Sequence, residues 1–127
     1  DHIAARLRAQ LAENSKILAG FNVLPEMNHN EIEAWNKKQF GEMRKNVVWI
    51  FDKDDHPRNL NRIKITSTLL NEIGVYSTLI SVDGENYIER CLKVLFLNDW
   101  ISFYLADING IDPVPVNRIT NLKNKMS

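Results

Sequence analysis

Apolar residues recur with a helical period at the start of the chain. Four of them are separated by steps of four or seven positions: Ile3, Leu7, Leu11 and Leu18. Residues at these steps fall on one face of an α-helix, so the segment is predicted to be helical and amphipathic. We expect the helix to run from Ile3 to Leu18 and to be closed by Gly20, since glycine readily adopts the conformation that ends a helix.

The next segment, FNVLPEMNHN at positions 21–30, shows neither helical nor strand periodicity. It contains Pro25 and three asparagines, and both residue types favour turns. We therefore predict an ordered loop. Asn30 has a side chain that can cap a short helix from Glu31 to Asn36.

Two shorter apolar runs lie in the middle of the chain. NVVWIF, from Asn46 to Phe51, precedes the polar turn Asp52 to Pro57, a pattern typical of a strand that is buried on both faces of a parallel sheet. A helix is predicted from Arg58 to Ile73, with Gly74 closing it. The second run, YSTLISV, predicts a strand from Tyr76 to Val82.

Two helices are predicted in the C-terminal third. The segment from Glu85 to Ile108 is apolar on almost every side, which indicates a helix that is either central to the core or half of an interface. Asp112 and Pro113 together are typical of a helix start, as capping residue and first-turn proline. The side chains expected to line this last helix are Val116, Ile119, Leu122 and Met126.

Strands that alternate with helices form βαβ units, so we predict the α/β class with a parallel sheet. Two strands make a poor sheet, and at least one more is expected, either unrecognised in this pattern or upstream of Asp1. The first residue is Asp rather than Met, and the chain enters a helix at once. We therefore expect these 127 residues to be one domain of a longer protein.

Composition narrows the class of protein. Sixteen Lys and Arg residues balance sixteen Asp and Glu residues, which disfavours a role on nucleic acid or at a membrane surface. No apolar run is long enough to span a bilayer and no signal-peptide pattern is present, so we expect a soluble, cytoplasmic protein. Cys91 is the only cysteine, which disfavours a disulfide framework or a cysteine metal cluster.

Three side chains offer acid–base chemistry: Glu13, His29 and Lys123. Each also has an ordinary interpretation. Glu13 is then a solvated glutamate paired with Lys16, His29 an exposed loop histidine, and Lys123 a cation near a helix end. The sequence has no glycine-rich phosphate loop and no nucleophile elbow. The other two histidines share no metal-ligand spacing with His29, so no metal site is predicted.

Longer stretches resemble a known family. The run AENSK, which contains Glu13, and the loop NVLPEMNHNEIEAW, which contains His29, look like the signature of the bifunctional phosphoglucose/phosphomannose isomerases, a branch of the sugar isomerase (SIS) domain proteins. The interval of 16 positions between Glu13 and His29 is part of this match. NDWISFYLA from Asn98 and IDPVPVNRITNLK from Ile111 resemble the closing segments of that family in order and spacing.

The resemblance implies a fold and a reaction. The fold would be a three-layer αβα sandwich of the SIS type with a parallel sheet, in which residues 1–127 form a C-terminal domain behind an upstream N-terminal SIS domain. The reaction would be isomerisation of glucose 6-phosphate or mannose 6-phosphate to fructose 6-phosphate, with no metal or redox cofactor. The phosphate-binding residues of the family precede Asp1, so we expect this chain alone to be inactive or nearly so.

The resemblance also implies roles for individual residues. Glu13 corresponds to the catalytic base, which moves a proton between C2 and C1 of the sugar through an enediolate. His29 corresponds to the histidine that opens the sugar ring. Lys123 corresponds to the active-site lysine of the closing I-x-x-L-K motif. Asn28 and Asn30, which flank His29, are predicted to contact the substrate.

Assembly follows from the same resemblance. It implies a homodimer in which His29 reaches the active site of the neighbouring subunit. Part of the aromatic surface around Trp100 should then lie at the interface, with Asp99 in a paired state. One alternative is a non-catalytic sugar-phosphate-binding or dimerisation module with the same fold. Another is a flavodoxin-like receiver module, whose acidic cluster would be Asp52, Asp54 and Asp55.

Overall fold

The computed structural model of the protein describes residues 1–36 and 45–126. Within these ranges the chain forms four α-helices and two β-strands, so the α/β class is confirmed. In chain order they are α1 (His2–Glu13), β1 (Asn46–Ile50), α2 (Pro57–Glu72), β2 (Tyr76–Ile80), α3 (Tyr87–Ile108) and α4 (Asn117–Met126). Two short 3₁₀ turns, Glu26–Asn28 and Glu31–Ala34, lie between α1 and β1.

The chain divides into two compact units. The strand unit consists of Asp1 and Asn22–Val94, and it contains both strands, α2 and the start of α3. The helical unit consists of His2–Phe21 and Leu95–Ser127, and it contains α1, the rest of α3 and α4. Helix α3 is therefore shared between the two units.

The sheet of the strand unit is parallel. β1 and β2 pair in register, from Asn46 opposite Tyr76 to Ile50 opposite Ile80. Helix α2 is the crossover between them, which completes a βαβ unit and confirms the predicted parallel pairing. The sheet has two strands within the described residues, and the further strand expected from the sequence stays a prediction.

Local sequence determines both ends of α2. The His56 side chain accepts a hydrogen bond from the backbone N–H of Arg58 at 3.1 Å. Pro57 occupies the first turn, where a backbone N–H has no partner in the helix. Beyond the helix, Gly74 has a φ angle of 82°, which glycine adopts freely. The helix predicted from Arg58 to Ile73 and its closure at Gly74 are therefore confirmed, with each end shifted by one residue.

The core of the strand unit is apolar and includes part of the predicted loop. Its buried side chains are Met27, Trp49, Ile63, Leu70 and Val75. Partly buried apolar side chains pack around them: Leu24, Trp35, Val47, Phe51 and Ile73. Full burial of a methionine side chain contributes about 1.5–3 kcal/mol, so Met27 fastens the loop to this core. This packing gives the physical reason why residues 21–30 have a defined conformation although their regular structure is limited to the 3₁₀ turn Glu26–Asn28.

The described residues do not cover both faces of the sheet. Trp49 is buried, but the adjacent Val48 is 39% exposed and Leu79 on β2 is 49% exposed. The prediction that the first strand is buried on both faces is therefore wrong for this part of the chain. A continuous apolar run indicates that both faces avoid water, but it does not indicate which segment provides the cover.

Helix α1 ends at Glu13, well before the predicted end at Leu18. Lys16 has a φ angle of 58°, outside the helical region, and it turns the chain away from the helix axis. Leu18 is 96% exposed, so its helical spacing from Leu11 does not reflect a shared buried face. The expected closure at Gly20 is therefore wrong as well.

Helix α4 begins at Asn117 rather than at Asp112. The Asp112 carboxylate accepts a hydrogen bond from the backbone N–H of Val114 at 2.9 Å, which is the local turn that aspartate favours. The two residues that predicted a helix start therefore form a turn in front of the helix. The prediction of a final helix is confirmed, and its start is corrected.

In the helical unit, α3 buries small side chains and exposes large aromatic ones. Its fully buried positions recur at steps of four residues: Asn98, Ser102 and Ala106. We call its exposed rings the aromatic patch, which consists of Phe96, Trp100, Phe103 and Tyr104. Within it, Trp100 stacks on Tyr104 with ring centroids 5.4 Å apart. Among the described residues, no helix has the length and hydropathy needed to cross a bilayer.

Candidate active site

The run AENSK lies at the C-terminal end of α1, and two of its residues are fastened to α3. Ser15 is fully buried, and its hydroxyl donates to the backbone carbonyl of Ser102 at 2.6 Å. The Asn14 amide donates to the Ser102 hydroxyl at 2.9 Å, and that hydroxyl donates to the Asp99 carbonyl at 2.9 Å. These bonds fix the end of α1 within the helical unit.

Lys16 connects the C-terminal end of α1 to a second segment, residues 113–115, through hydrogen bonds. Its ammonium group donates to the backbone carbonyl of Glu13 at 2.5 Å and to that of Pro115 at 2.8 Å, with a longer contact to Pro113 at 3.4 Å. A positive φ angle at a residue with a side chain costs about 1–3 kcal/mol and persists only where its surroundings hold it. The expected side-chain ion pair between Glu13 and Lys16 is not formed. The Lys16 ammonium group contacts the backbone carbonyl of Glu13 instead.

Glu13 is exposed at the end of α1. It lines a pocket of about 590 Å³ in the helical unit. The other residues that line the pocket come from the end of α1 and from the segment before α4: Ala12, Lys16, Ile17, Leu18, Pro115, Val116, Asn117, Arg118 and Ile119. A carboxylate at the wall of a concave site of this size can reach a bound small molecule.

His29 is presented by the loop of the strand unit. It follows the 3₁₀ turn Glu26–Asn28, its side chain is exposed, and its backbone N–H donates to the carbonyl of Glu26 at 2.9 Å. The buried Met27, two residues earlier, holds this turn in the core. The imidazole therefore lies on a loop whose backbone is fixed.

The asparagines on either side of His29 make contacts inside the strand unit. The Asn28 amide donates to the hydroxyl of the buried Thr66 on α2 at 3.0 Å. The Asn30 side chain accepts from the backbone N–H of Glu31 at 2.5 Å and donates to the Glu26 carboxylate at 2.7 Å. Asn30 thus caps the 3₁₀ turn Glu31–Ala34, which is shorter than the helix predicted to reach Asn36. The substrate contacts predicted for both asparagines stay a prediction.

Lys123 lies in the last turn of α4 and is exposed. It belongs to the helical unit, as Glu13 does, but it is not among the residues that line the pocket. His29 belongs to the strand unit. Within one unit, the structure therefore places Glu13 in a pocket and Lys123 on a helix that begins beside it.

Two acidic side chains that follow β1, those of Asp52 and Asp54, are paired with a buried arginine. Arg90 is 2% exposed, and its guanidinium donates to Asp52 at 2.8 and 2.9 Å and also to Asp54. These hydrogen bonds hold the pKa of Asp52 below its ordinary value. A receiver module would offer these carboxylates to a metal cation, whereas here Arg90 is their cation. The receiver alternative therefore loses its support.

Asp99 on α3 is paired within the helical unit. Its carboxylate accepts hydrogen bonds from the side chains of Gln10 and Arg6, the latter at 3.1 Å. The bond from Gln10, and then that from Arg6, hold the pKa of Asp99 below its ordinary value. Asp99 therefore has the paired state that the sequence predicted, with partners on α1. The predicted place of the aromatic patch at a subunit interface stays a prediction.

Comparison with known proteins gives the family. Residues 1–126 match the family model described as the bacterial phospho-glucose isomerase C-terminal SIS domain. The chain belongs to this family. The resemblance seen in the AENSK run, the NHN loop and the closing segments is thereby confirmed.

Curated relatives of this SIS domain carry a common description. The chain is 40% identical over 127 residues to a bifunctional phosphoglucose/phosphomannose isomerase of Aquifex aeolicus, covering 98% of this chain and 39% of the relative. Proteins with the same description from Caldicellulosiruptor bescii and Thermoplasma acidophilum are 37% and 31% identical; each match covers 98% of this chain, and 37% and 38% of those proteins. The chain thus spans less than half the length of these relatives.

Sequence reasoning missed the structural roles inside the SIS domain signature. It singled out Glu13 from the AENSK run, but it assigned no anchoring role to Ser15 or Lys16. The only available signal was the placement of small and charged polar residues just beyond a helix end.

Asn98 was also missed: it is fully buried, and its amide has no hydrogen-bond partner among residues 1–36 and 45–126. In the same ranges, no three His, Cys, Asp or Glu side chains form a group that could hold a metal ion.

Proposed function

We propose that this SIS domain is the C-terminal part of an enzyme that interconverts glucose 6-phosphate or mannose 6-phosphate and fructose 6-phosphate. Two findings support the proposal. The relatives are described as phosphoglucose/phosphomannose isomerases, and Glu13 lies exposed in a pocket large enough for a sugar phosphate.

Glu13 is the proposed catalytic base. In its ionised form it accepts the proton from C2 of the open-chain aldose, and the electron pair of the C–H bond moves to form the enediolate. Glu13 then delivers a proton to C1, and the proton of the O2 hydroxyl passes to O1, which gives the ketose. One carboxylate on one face of the substrate suffices for both transfers. Its backbone is held by Lys16, which fixes the point from which the side chain extends.

His29 and Lys123 are proposed to open the sugar ring. The ring oxygen must gain a proton while the anomeric hydroxyl loses one, and histidine can act in both directions near neutral pH. Lys123 would hold a substrate oxygen as a hydrogen-bond donor. We place His29 at the active site of a neighbouring subunit in a homodimer, because the family resemblance associates this histidine with the partner's site.

The rest of the substrate site is proposed to lie upstream of Asp1. An N-terminal SIS domain would supply the phosphate-binding groups, and upstream strands would complete the parallel sheet of a three-layer αβα sandwich. The exposed apolar side chains of Val48 and Leu79 support further cover for this sheet. A cytoplasmic role in carbohydrate metabolism, with no metal or redox cofactor in the reaction, completes the proposal.

The observation that carries the proposal is the position of Glu13 at the pocket, and the variant Glu13→Gln tests it in the full-length protein. We expect kcat for hexose 6-phosphate isomerisation to fall by about 10²- to 10⁴-fold, because the amide cannot accept the proton. KM should stay within about twofold, since the phosphate contacts are elsewhere. Glu72→Gln is the matched control, because Glu72 is also exposed at the C-terminal end of a helix.

The same experiment tests the competing function. A non-catalytic sugar-phosphate-binding or dimerisation module would bind hexose 6-phosphate without turnover in the unmodified protein. Its affinity for the sugar phosphate would not depend on Glu13. Absence of turnover in the full-length protein, or wild-type turnover in Glu13→Gln, contradicts the proposed isomerase mechanism.

A further inference from the structure

We propose that Lys16 is a positioning residue for Glu13: its ammonium group fixes the end of α1 so that the Glu13 carboxylate meets the substrate in a reactive geometry. This inference rests on the proposed function, because it requires Glu13 to be the catalytic base. It adds a role for a residue that contacts the backbone of Glu13 and has no proton to transfer in the reaction.

The first observation is the contact with Glu13 itself. Glu13 is the last residue of α1, and the final carbonyl groups of a helix have no partner within it. The Lys16 ammonium donates to the Glu13 carbonyl at 2.5 Å, so it satisfies one of these groups and also complements the helix dipole. The backbone that carries the proposed base is therefore held by a charged donor.

The second observation is the opposite anchor. The same ammonium donates to the Pro115 carbonyl at 2.8 Å, and the Pro113 carbonyl lies 3.4 Å away. Lys16 and Pro115 both line the pocket that contains Glu13. One side chain thus ties two walls of this pocket together, and the second wall leads directly into α4, which carries Lys123.

The third observation is the backbone conformation of Lys16. Its φ angle of 58° is one that glycine or asparagine adopts more readily. A residue that served only to turn the chain after α1 would be expected to be glycine. A lysine at this position indicates that its side-chain contacts, and not the turn itself, are the reason why lysine stands here.

The consequence for catalysis follows from the sensitivity of proton transfer to geometry. A displacement of about 1 Å at a reacting group lowers the rate by about 10²-fold. Without the Lys16 ammonium, the end of α1 and the Pro115 wall can move apart. The carboxylate then spends less time within reach of C2, whereas the substrate remains bound through groups elsewhere.

Three variants of the full-length enzyme test the role: Lys16→Gly, Lys16→Met and Lys16→Arg. Glycine keeps the backbone conformation and removes the side chain. Methionine keeps an unbranched side chain but removes the charge and the hydrogen-bond donors, and arginine keeps a cationic donor. We expect kcat to fall by about 10- to 100-fold in the glycine and methionine variants, with KM within about twofold. Lys16→Arg should recover most of the lost kcat. Lys64→Met, at an exposed lysine on α2, is the control and should behave as the wild type.

A double variant distinguishes positioning from an independent effect. If Lys16 acts through Glu13, then Lys16→Gly adds no further loss of kcat in the Glu13→Gln background. Three results overturn the inference: unchanged kcat in a folded Lys16→Gly variant, a loss confined to KM, or a full additional loss in the double variant. Full turnover in Glu13→Gln contradicts the proposed function instead. If Lys16→Gly and Lys16→Met do not fold, Lys16→Arg decides the test. A folded Lys16→Arg variant with less than a tenth of the wild-type kcat then overturns the inference.

Discussion

At the scale of single residues, neighbours in sequence perform different tasks. Glu13 faces the pocket, whereas Ser15 and Lys16 are bound to residues far along the chain, Ser102 and Pro115. Asn28 likewise bonds to Thr66, and His29 beside it stays exposed. In both segments, the polar residues around a candidate acid–base group hold its backbone in place.

Asp52 gives a pH-dependent prediction at this scale. Because the hydrogen bonds from Arg90 lower the pKa of Asp52 below 3.8, its contribution to stability is complete above that value. The contribution is lost as the pH falls through the lower pKa of the folded state. We therefore expect Asp52→Asn to lower Tm by several degrees at pH 7, and the difference from the wild type to narrow at pH 3.

Thermal unfolding followed by circular dichroism at both pH values measures this difference. Asp83→Asn is the control, because Asp83 is an exposed aspartate that follows β2 as Asp52 follows β1. A difference between Asp52→Asn and the wild type that stays the same from pH 7 to pH 3 would show that the Asp52 charge does not act through Arg90.

The sequence could not predict these residue roles fully, for a physical reason. Glu13, His29 and Lys123 taken singly have ordinary interpretations, and only the family resemblance marked them. The anchoring by Lys16 depends on carbonyl groups of Pro113 and Pro115, almost one hundred positions away. Such contacts arise from tertiary structure, and no local pattern encodes them.

At the scale of elements, the sequence predicted the ends of a helix correctly where the residues that form each end are neighbours along the chain. Pro57 at the start of α2 and Gly74 at its end act through the adjacent backbone, and both boundaries were predicted within one residue. The end of α1 and the start of α4 were wrong, because Lys16 and Asp112 form turns that apolar spacing does not reveal. Strand positions were predicted well, but their burial was not.

Gly84 gives a prediction for the turn between β2 and α3. A Cβ atom at this position would lie 2.9 Å from Cγ of Arg90, and that side chain is buried and hydrogen-bonded to Asp52. We expect Gly84→Ala to reduce the free energy of unfolding by about 1–3 kcal/mol, because the turn becomes overpacked.

Chemical denaturation of the two glycine variants checks this prediction. Gly20→Ala is the matched control, since a Cβ atom there would have no neighbour within 4 Å. Both substitutions restrict the unfolded chain to the same degree, so their difference reports the contact with Arg90. Equal stability of the two variants would mean that Arg90 can give way at Gly84.

At the scale of the whole molecule, the chain leaves substantial apolar surface open. The aromatic patch on α3 and the side chains of Val48 and Leu79 on the sheet are all partly exposed. Exposed apolar surface of this kind is typical of interaction sites. The chain also spans less than 40% of the length of the relatives named above.

These features predict a measurable dependence on the rest of the protein. We expect residues 1–127 expressed alone to show no hexose 6-phosphate isomerisation above background, because the proposed phosphate site lies upstream. The protein that includes the upstream segment should turn over, and a coupled assay for fructose 6-phosphate compares the two. Turnover by residues 1–127 alone would place the complete site within this domain.

The most direct test of Glu13 as the base follows the proton itself. The full-length enzyme is incubated with fructose 6-phosphate in D₂O, and NMR measures deuterium at C2 of the aldose product. The proton held by Glu13 can exchange with solvent deuterium before it is delivered to C2. We therefore predict uptake of deuterium at C2 by the wild type and by Glu72→Gln, and a rate of uptake at least 10²-fold lower in Glu13→Gln. Uptake by Glu13→Gln at the wild-type rate would contradict the assignment of Glu13 as the catalytic base.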